Sequence, residues 1–251
     1  MTTPRIPIYI AHHQIGSLAA ADLPLIVSQA QPALFTFAQE ALHIDPTAPD
    51  ATLAHWAGVL RDAGRLGRWR NELLPVAPLP AADCHTLKAL PSPLAVAERS
   101  AARRLGILTH AVHLVGRAAN GDVWLQQRAW DKATDPGLWD TLAGGLLSAG
   151  DSLISGVLRE TDEEAGVLAH QLSPLVNHGC MLQRRAVPDG VIIEAVWTFS
   201  AVLDAAVPPK NRDGEVIAFE CVRTTELAAR VGAGTVTHEA QLALRAAACV
   251  V

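Results

Sequence analysis

The stretch Gly145 to Val167, GLLSAGDSLISGVLRETDEEAGV, divides into a glycine-containing loop and a helix. Leu153, Ile154, Val157 and Leu158 recur at helical spacing and form one apolar stripe, while Glu160, Glu163 and Glu164 fall at i, i+3 and i+4 on another face. The pattern predicts a helix over Ser152 to Ala165, closed by Gly166 as a C-terminal breaker. Like charges at that spacing repel by roughly a few tenths of a kcal/mol per pair, a cost that a bound divalent cation would reverse. Three convergent carboxylates suit a hard cation such as Mg²⁺, with Mn²⁺ as the alternative, whereas zinc would call for histidines and cysteines that are missing here. The competing reading is an acidic helix face that is simply solvated.

Working outward from this helix, Leu108 to Val115 and Val123 to Gln127 read as strands joined through the Asn120-Gly121 turn signal of a hairpin. A helix is expected at Leu94 to Leu105. Further strands are expected at Leu175 to Gln183, Val191 to Val202 and Val216 to Val222, with helices at Thr225 to Val231 and His238 to Cys249. Strands and helices interleave without a regular βαβ repeat, which predicts an α/β (α+β) arrangement, a mixed β-sheet with helices on both faces.

Toward the N-terminus, apolar runs at Ile6 to Ile10 and Leu34 to Phe37 alternate with a helical segment from Ala51 to Gly67, where Leu53, Trp56, Ala57 and Leu60 share a face. This predicts a small α+β N-terminal domain over residues 1–76. Residues 77–93 (APLPAADCHTLKALPSP) are rich in proline and alanine and read as a linker, because proline rings oppose a continuing helix or central strand. Residues 94–251 form the second domain.

The 251 residues are 50% hydrophobic and 18% charged, far from the disordered class. A mean hydropathy of +0.21 raises the question of a membrane. No run approaches the roughly 20 apolar residues of a spanning helix, so no membrane is expected. A net charge of −5 argues against a general nucleic-acid partner, which demands a basic surface. The N-terminal stretch carries no secretory pattern, and Cys84, Cys180, Cys221 and Cys249 lack C-x-x-C spacing. Reduced thiols and a cytoplasmic location are therefore expected. The pairs His12-His13 and Cys84-His85 and the group His178-Gly179-Cys180 are isolated from one another and read as structural residues.

The quoted stretch resembles the Nudix box, G-x5-E-x7-R-E-U-x-E-E-x-G-U with U aliphatic. Gly145, Arg159, Glu160, Glu163, Glu164, Gly166 and Val167 match; Asp151 stands in place of a glutamate and Thr161 in place of an aliphatic residue. The resemblance implies the Nudix fold and Mg²⁺-dependent hydrolysis of a small-molecule diphosphate. Glu160, Glu163 and Glu164 would hold the metal, and Arg159 would orient a glutamate. Glu164, or Glu215 in the loop RDGEV, would accept the proton; Glu215 as a plain turn residue is the competing reading. Arg128 and Lys132, together with Gly144 and Gly145, are the candidate substrate-binding positions. The shorter Asp151 predicts a looser pair with Arg159.

Beyond the box, Glu98 to Gly116, Gln126 to Gly145 and the N-terminal segments Ile15 to Ile26 and Gly67 to Val76 are similar to the Nudix group related to thiamin pyrophosphokinase. That resemblance implies damaged thiamin diphosphate as substrate, the monophosphate as product, and Trp69, Trp130 or Trp139 as stacking partners for the rings. A nucleoside diphosphate derivative is the main alternative, and a non-hydrolysing ligand sensor is a second class. The stretch Trp139 to Gly145 lacks the cysteine that isopentenyl-diphosphate isomerase uses. Many Nudix proteins dimerise, so a homodimer is a further expectation.

Overall fold

The computed structural model describes residues 4–29, 34–132 and 134–250. The chain opens with strands β1 (Arg5–Ile10) and β2 (His13–Ala19), helix α1 (Leu23–Ser28), strands β3 (Phe35–Ala38) and β4 (Ala41–Ile44), and helix α2 (Pro49–Asp62). Proline at the first turn of α2 removes no needed donor, so the helix starts two residues before the expected Ala51. The four strands form a sheet in the order β2-β1-β4-β3, with β1 and β4 parallel. Leu53, Trp56, Ala57 and Leu60 bury one face of α2 against Ile8, Leu18, Leu42 and Ile44. Phe35 meets the Trp56 ring edge-on at 5.1 Å.

Strands β5 (Leu73–Val76) and β6 (Ala95–Glu98) pair antiparallel, from Leu73 opposite Glu98 to Val76 opposite Ala95. The expected helix at Leu94 to Leu105 is therefore replaced by β6, a single 3₁₀ turn at Arg99–Ala101 and a following turn. An alanine-rich run has little periodic signal, and pairing with β5 decides its state. Ala95, Ala97, Ala101, Leu105 and Ile107 join the first core. Arg104 closes a two-pronged ion pair with the buried Asp22, its Nη2 lying 2.7 Å from Oδ1.

The proline-rich stretch between β5 and β6 is tied down along its length. Leu79 N donates to Gln14 O at 2.7 Å, and Leu182 N donates to His85 O at 2.9 Å. Arg184 donates to the carbonyls of Pro80 (2.9 Å) and Cys84 (3.1 Å). The stretch so covers the outer edge of a sheet that would otherwise be open.

That sheet contains β7 (Leu108–Arg117), β8 (Val123–Arg128), β9 (Trp139–Asp140), β10 (Ala143–Leu146), β11 (Val176–Val187), β12 (Gly190–Val202) and β13 (Val216–Val222). Its path runs β11-β12-β7-β8-β13, with β10 on β7 and β9 on β8; β7 and β12 are parallel and the other pairs antiparallel. Helix α3 (Leu153–Ala165) lies on one face; α4 (Thr224–Gly232) and α5 (His238–Ala246) lie on the other. Strand alternation shows why: Leu108, Val112 and Leu114 enter the core containing Val157 of α3, while Val115 enters the core containing Leu227 of α4 and Leu244 of α5. The mixed sheet between helices agrees with the expectation from sequence. No helix among the described residues is long and apolar enough to cross a membrane.

Candidate functional site

Helix α3 has the ends its sequence dictates. Ser152 caps the N-terminus, its Oγ accepting from Ser155 N at 3.0 Å, while Ser155 Oγ accepts from Ser152 N at 2.8 Å. Gly166 closes the C-terminus in the left-handed region at φ 63°. Thr161 is fully buried and its hydroxyl donates to Val157 O at 2.6 Å, so the hydroxyl that replaces an aliphatic residue is satisfied within the helix.

The loop before α3 is fixed by the residue that looked too short. Asp151 Oδ2 accepts from Arg159 Nη2 at 2.9 Å, from Nε at 3.3 Å and from Ser148 N at 3.1 Å. Arg159 also reaches Glu160 Oε1 (2.7 Å), Glu163 Oε2 (3.1 Å) and Leu146 O (3.1 Å). Burial opposes the guanidinium charge, yet Glu160 and Asp151 together push its pKa up. The looser pair expected from Asp151 is not found. Ser148 is held in turn by Glu72, whose Oε1 accepts from Ser148 Oγ at 3.0 Å and whose Oε2 accepts from Arg99 Nη1 at 2.7 Å. Glu72 and Arg99, flanking the β5–β6 pair, thus hold the loop before α3 through Ser148.

Glu164 is 2% exposed. Its Oε2 accepts from Gln126 Nε2 at 2.7 Å and from Gly144 N at 2.9 Å, and its Oε1 lies 3.8 Å from Lys132 Nζ. Burial pushes its pKa up to about 7, against the opposing effect of Lys132. Burial also raises Glu160, with Arg159 pulling the other way. The loop Asn211 to Glu215 brings Asp213 and Glu215 to Glu164, one oxygen from each lying within 4.8 Å of the others. Lys132 forms an ion pair with Glu215. Glu163 is half-exposed on the rim.

Lys132, Glu160, Glu163, Glu164, Asp213 and Glu215 line one cleft of about 530 Å³, along with Arg99, Arg103, Arg128, His113, Asp140, Gly144 and Gly145. Two glycines sit close at its floor: a Cβ on Gly145 would meet the Glu160 carboxyl carbon at 2.4 Å and displace that side chain, and one on Gly144 would meet the His113 ring at 2.7 Å. Every anionic donor is a carboxylate oxygen, a set that fits a hard divalent cation. The Lys132 ammonium stands between Glu164 and Glu215, where positive charge is wanted.

Glu160, Glu163, Glu164, Arg159, Glu215, Lys132, Gly144 and Gly145 therefore converge. Arg128 lines the cleft but is largely committed, donating from Nη1 to Asp140 Oδ2 (3.1 Å) and from Nε and Nη2 to Thr134 O (3.2 and 3.0 Å). With His113 it holds buried Asp140 down to about 2 against the effect of burial. The three tryptophans lie elsewhere: Trp130 is 70% exposed, Trp139 sits under Arg230, and Trp69 stacks with Arg61. None lines this cleft. Asp213, Arg99 and Arg103 were not singled out from the sequence. The signal for Asp213 was its place two residues before Glu215 in a glycine turn; the two arginines gave none. The His12 and His13 rings lie against each other at a tilt of 41°, and the four cysteines are free thiols.

The NUDIX domain model matches residues 108–240. The chain is 27% identical over 216 residues to "Nudix hydrolase 24, chloroplastic" of Arabidopsis thaliana, covering 78% of this chain and 54% of that one. It is 28% identical to "Nudix hydrolase 20, chloroplastic" of the same plant over 173 residues, 68% of this chain and 44% of that one. The chain thus spans about half the length of the curated relatives it matches. A solved structure, DR0079 from Deinococcus radiodurans, aligns with a TM-score of 0.47 at 18% identity, over 72% of this chain and 100% of the other. With the family model covering more than half of its residues, the chain belongs to the Nudix family.

Proposed function

We propose that the chain is a divalent-metal-dependent pyrophosphohydrolase that cleaves a diphosphate linkage in a small molecule. The supporting observation is a single cleft in which Glu164, Asp213 and Glu215 cluster, with Glu160 and Glu163 beside them and Lys132, Arg99 and Arg103 facing them. The cleft has the volume of a small-molecule site. Glu160, Glu163 and Glu164 of the helix, with Asp213 of the loop, would hold Mg²⁺ or Mn²⁺. When bound, such an ion neutralises phosphate charge and lowers the pKa of a water.

The chain's own residues do the rest. Lys132, released from Glu215, and the two arginines grip the phosphates. Arg159 keeps Glu160 and Glu163 in register along α3. Glu215 is the proton acceptor once Lys132 leaves it for the phosphates, because Glu164 is fixed by Gln126 and Gly144 while Glu215 is 44% exposed.

For the organic group we favour thiamin diphosphate or its oxidised derivatives, with the monophosphate as product. The support is the similarity of Glu98 to Gly116 and of the N-terminal segments to the Nudix group related to thiamin pyrophosphokinase. We also propose the division into residues 1–76, 77–93 and 94–251, with residues 95–107 of the last packed into the core of the first. The experiment follows the monophosphate product by chromatography, with Mg²⁺, across thiamin diphosphate, its oxo- and oxy-derivatives, ADP-ribose and nucleoside triphosphates, with Glu164→Gln as control. Cleavage of the thiamin compounds, lost in the variant, supports the whole reading. Preference for a nucleotide discards the substrate, and ligand binding without turnover on any compound discards the hydrolase.

A further inference from the structure

Beside the metal cleft lies a second, smaller chamber of about 200 Å³. Arg99 and Arg103 line both spaces, so the two adjoin. Three more arginines, Arg68, Arg70 and Arg185, line the smaller one, against the carboxylates of Asp189, Glu194 and Glu239. Those carboxylates do little to neutralise them. Both oxygens of Glu194 accept from uncharged donors, Oε1 from Gln183 Nε2 at 2.8 Å and Oε2 from Thr109 Oγ1 at 3.0 Å. Glu239 Oε1 accepts from Gln183 Nε2 at 2.8 Å and from Arg185 Nη2 at 3.3 Å, and Asp189 stands 3.7 Å from Arg103. Burial raises the pKa of Glu194, which lessens its charge further.

The surplus in this chamber is therefore of donors. Arg68 and Arg70 are exposed, and neither guanidinium has an ion-pair or hydrogen-bond partner among the described residues. Arg185 Nε is buried without a partner among them. Arg99 gives Nη1 to Glu72 and Arg103 gives Nη2 to Thr134, and each keeps further N–H groups. Guanidinium forks match the oxygens of a phosphate, and a bound anion relieves the repulsion among the gathered cations. Walls of Ile107, Leu146 and Val191 keep the local dielectric low, which strengthens such pairing. The volume falls below the roughly 300–1,000 Å³ of a site that takes a whole small molecule, so the chamber fits a fragment of the substrate.

We propose that this chamber receives the terminal phosphate of the diphosphate substrate and then holds the orthophosphate product, with Arg68 and Arg70 as its own binding residues and Arg99 and Arg103 at the border with the metal cleft. This rests on the hydrolase reading. In the reaction one water adds across the P–O–P bridge: one phosphorus keeps the bridging oxygen, the other gains the water oxygen, and one proton passes to Glu215. The products are an organic monophosphate and orthophosphate. A terminal phosphate drawn toward the arginines leaves the bridge beside the carboxylate cluster. Because Arg68 and Arg70 lie between α2 and β5, the N-terminal unit supplies part of the site.

The probe is inorganic phosphate, titrated by calorimetry into the metal-free full chain at physiological salt. One phosphate should bind per chain. The double variant Arg68→Gln/Arg70→Gln, altered only at exposed positions, should weaken it roughly tenfold or more, whereas Lys132→Gln in the metal cleft should change it by less than about threefold. In turnover assays phosphate should compete with the diphosphate substrate, and the double variant should raise both KM and the phosphate inhibition constant. No phosphate binding at physiological salt, binding that the double variant leaves intact, or binding that only Lys132→Gln abolishes overturns the proposal. Phosphate binding that depends on both arginines, without Mg²⁺-dependent turnover of any compound, sinks the hydrolase reading alone and leaves the phosphate site standing.

Discussion

Gln126 donates its side-chain amide to Glu164 Oε2 at 2.7 Å, so a residue in the middle of strand β8 sets the orientation of a carboxylate on helix α3. Gln126 is 1% exposed, and its amide oxygen has no partner among the described residues. A hydrogen bond to a charged group contributes about 1.5–3 kcal/mol. Gln126→Leu, similar in volume and without a donor, should therefore lower Mg²⁺-dependent turnover roughly ten- to a hundredfold while the near-ultraviolet spectrum stays native. Unchanged turnover at every Mg²⁺ concentration would remove Gln126 from the site.

The pH dependence of stability follows from Glu164. Burial holds its folded pKa at about 7, above the ordinary 4.5. Between those values the folded state binds more protons than the unfolded one, so stability falls as pH rises from 4.5 to about 7 and stays reduced above that. The effect is on the order of 3 kcal/mol at most. Thermal melts of the metal-free protein at pH 5, 6, 7 and 8 should show a steeper decline for the natural chain than for Glu164→Gln. Parallel curves would mean that Glu164 is charged in the folded state throughout.

How far these residues were legible in the sequence depends on how local their partners are. Helix α3 was, because Ser152, the apolar stripe and Gly166 all act within one helix length. The segment Leu94 to Leu105 was not: Ala95 and Ala97 become strand residues only because Leu74 and Val76, some twenty residues earlier, pair with them. Asp213 stands 49 positions after Glu164 in sequence numbering and reaches it by way of β11, β12 and a turn; nothing local marks a turn aspartate as a neighbour of a buried glutamate. Glu194 and Glu239 reach Gln183 from different elements, and a charged residue within a strand gives no sign of what it faces.

Asp151 tests whether a departure from the family pattern costs anything. The shorter side chain already takes two donors from Arg159 and one from Ser148. Asp151→Glu has no unmet contact to recover, and its kcat/KM should stay within about threefold of the natural chain. Asp151→Ala leaves Arg159 and Ser148 N without their acceptor; it should destabilise by about 1–3 kcal/mol and slow turnover tenfold or more. A clear gain in rate for Asp151→Glu would show that the aspartate is a handicap after all.

Gly145 carries the last prediction, because it separates a demand of the site from a demand of the backbone. A Cβ there meets all three carboxyl atoms of Glu160 at 2.4–2.5 Å, and Glu160 is held on its other side by Arg159 at 2.7 Å, so neither can yield without breaking the row of charges along α3. Gly58, in the interior of α2, has nothing within 4 Å of the same added atom. Gly58→Ala should stabilise by roughly 0.5–1 kcal/mol, since alanine loses less backbone freedom on entering a helix. Gly145→Ala should instead give a folded protein that has lost tenfold or more in turnover and needs more Mg²⁺ to reach half its maximal rate. Paired melts and Mg²⁺ titrations of the two variants decide the matter. Normal Mg²⁺ dependence in Gly145→Ala would mean that Glu160 can move aside freely and is no part of the metal-binding face.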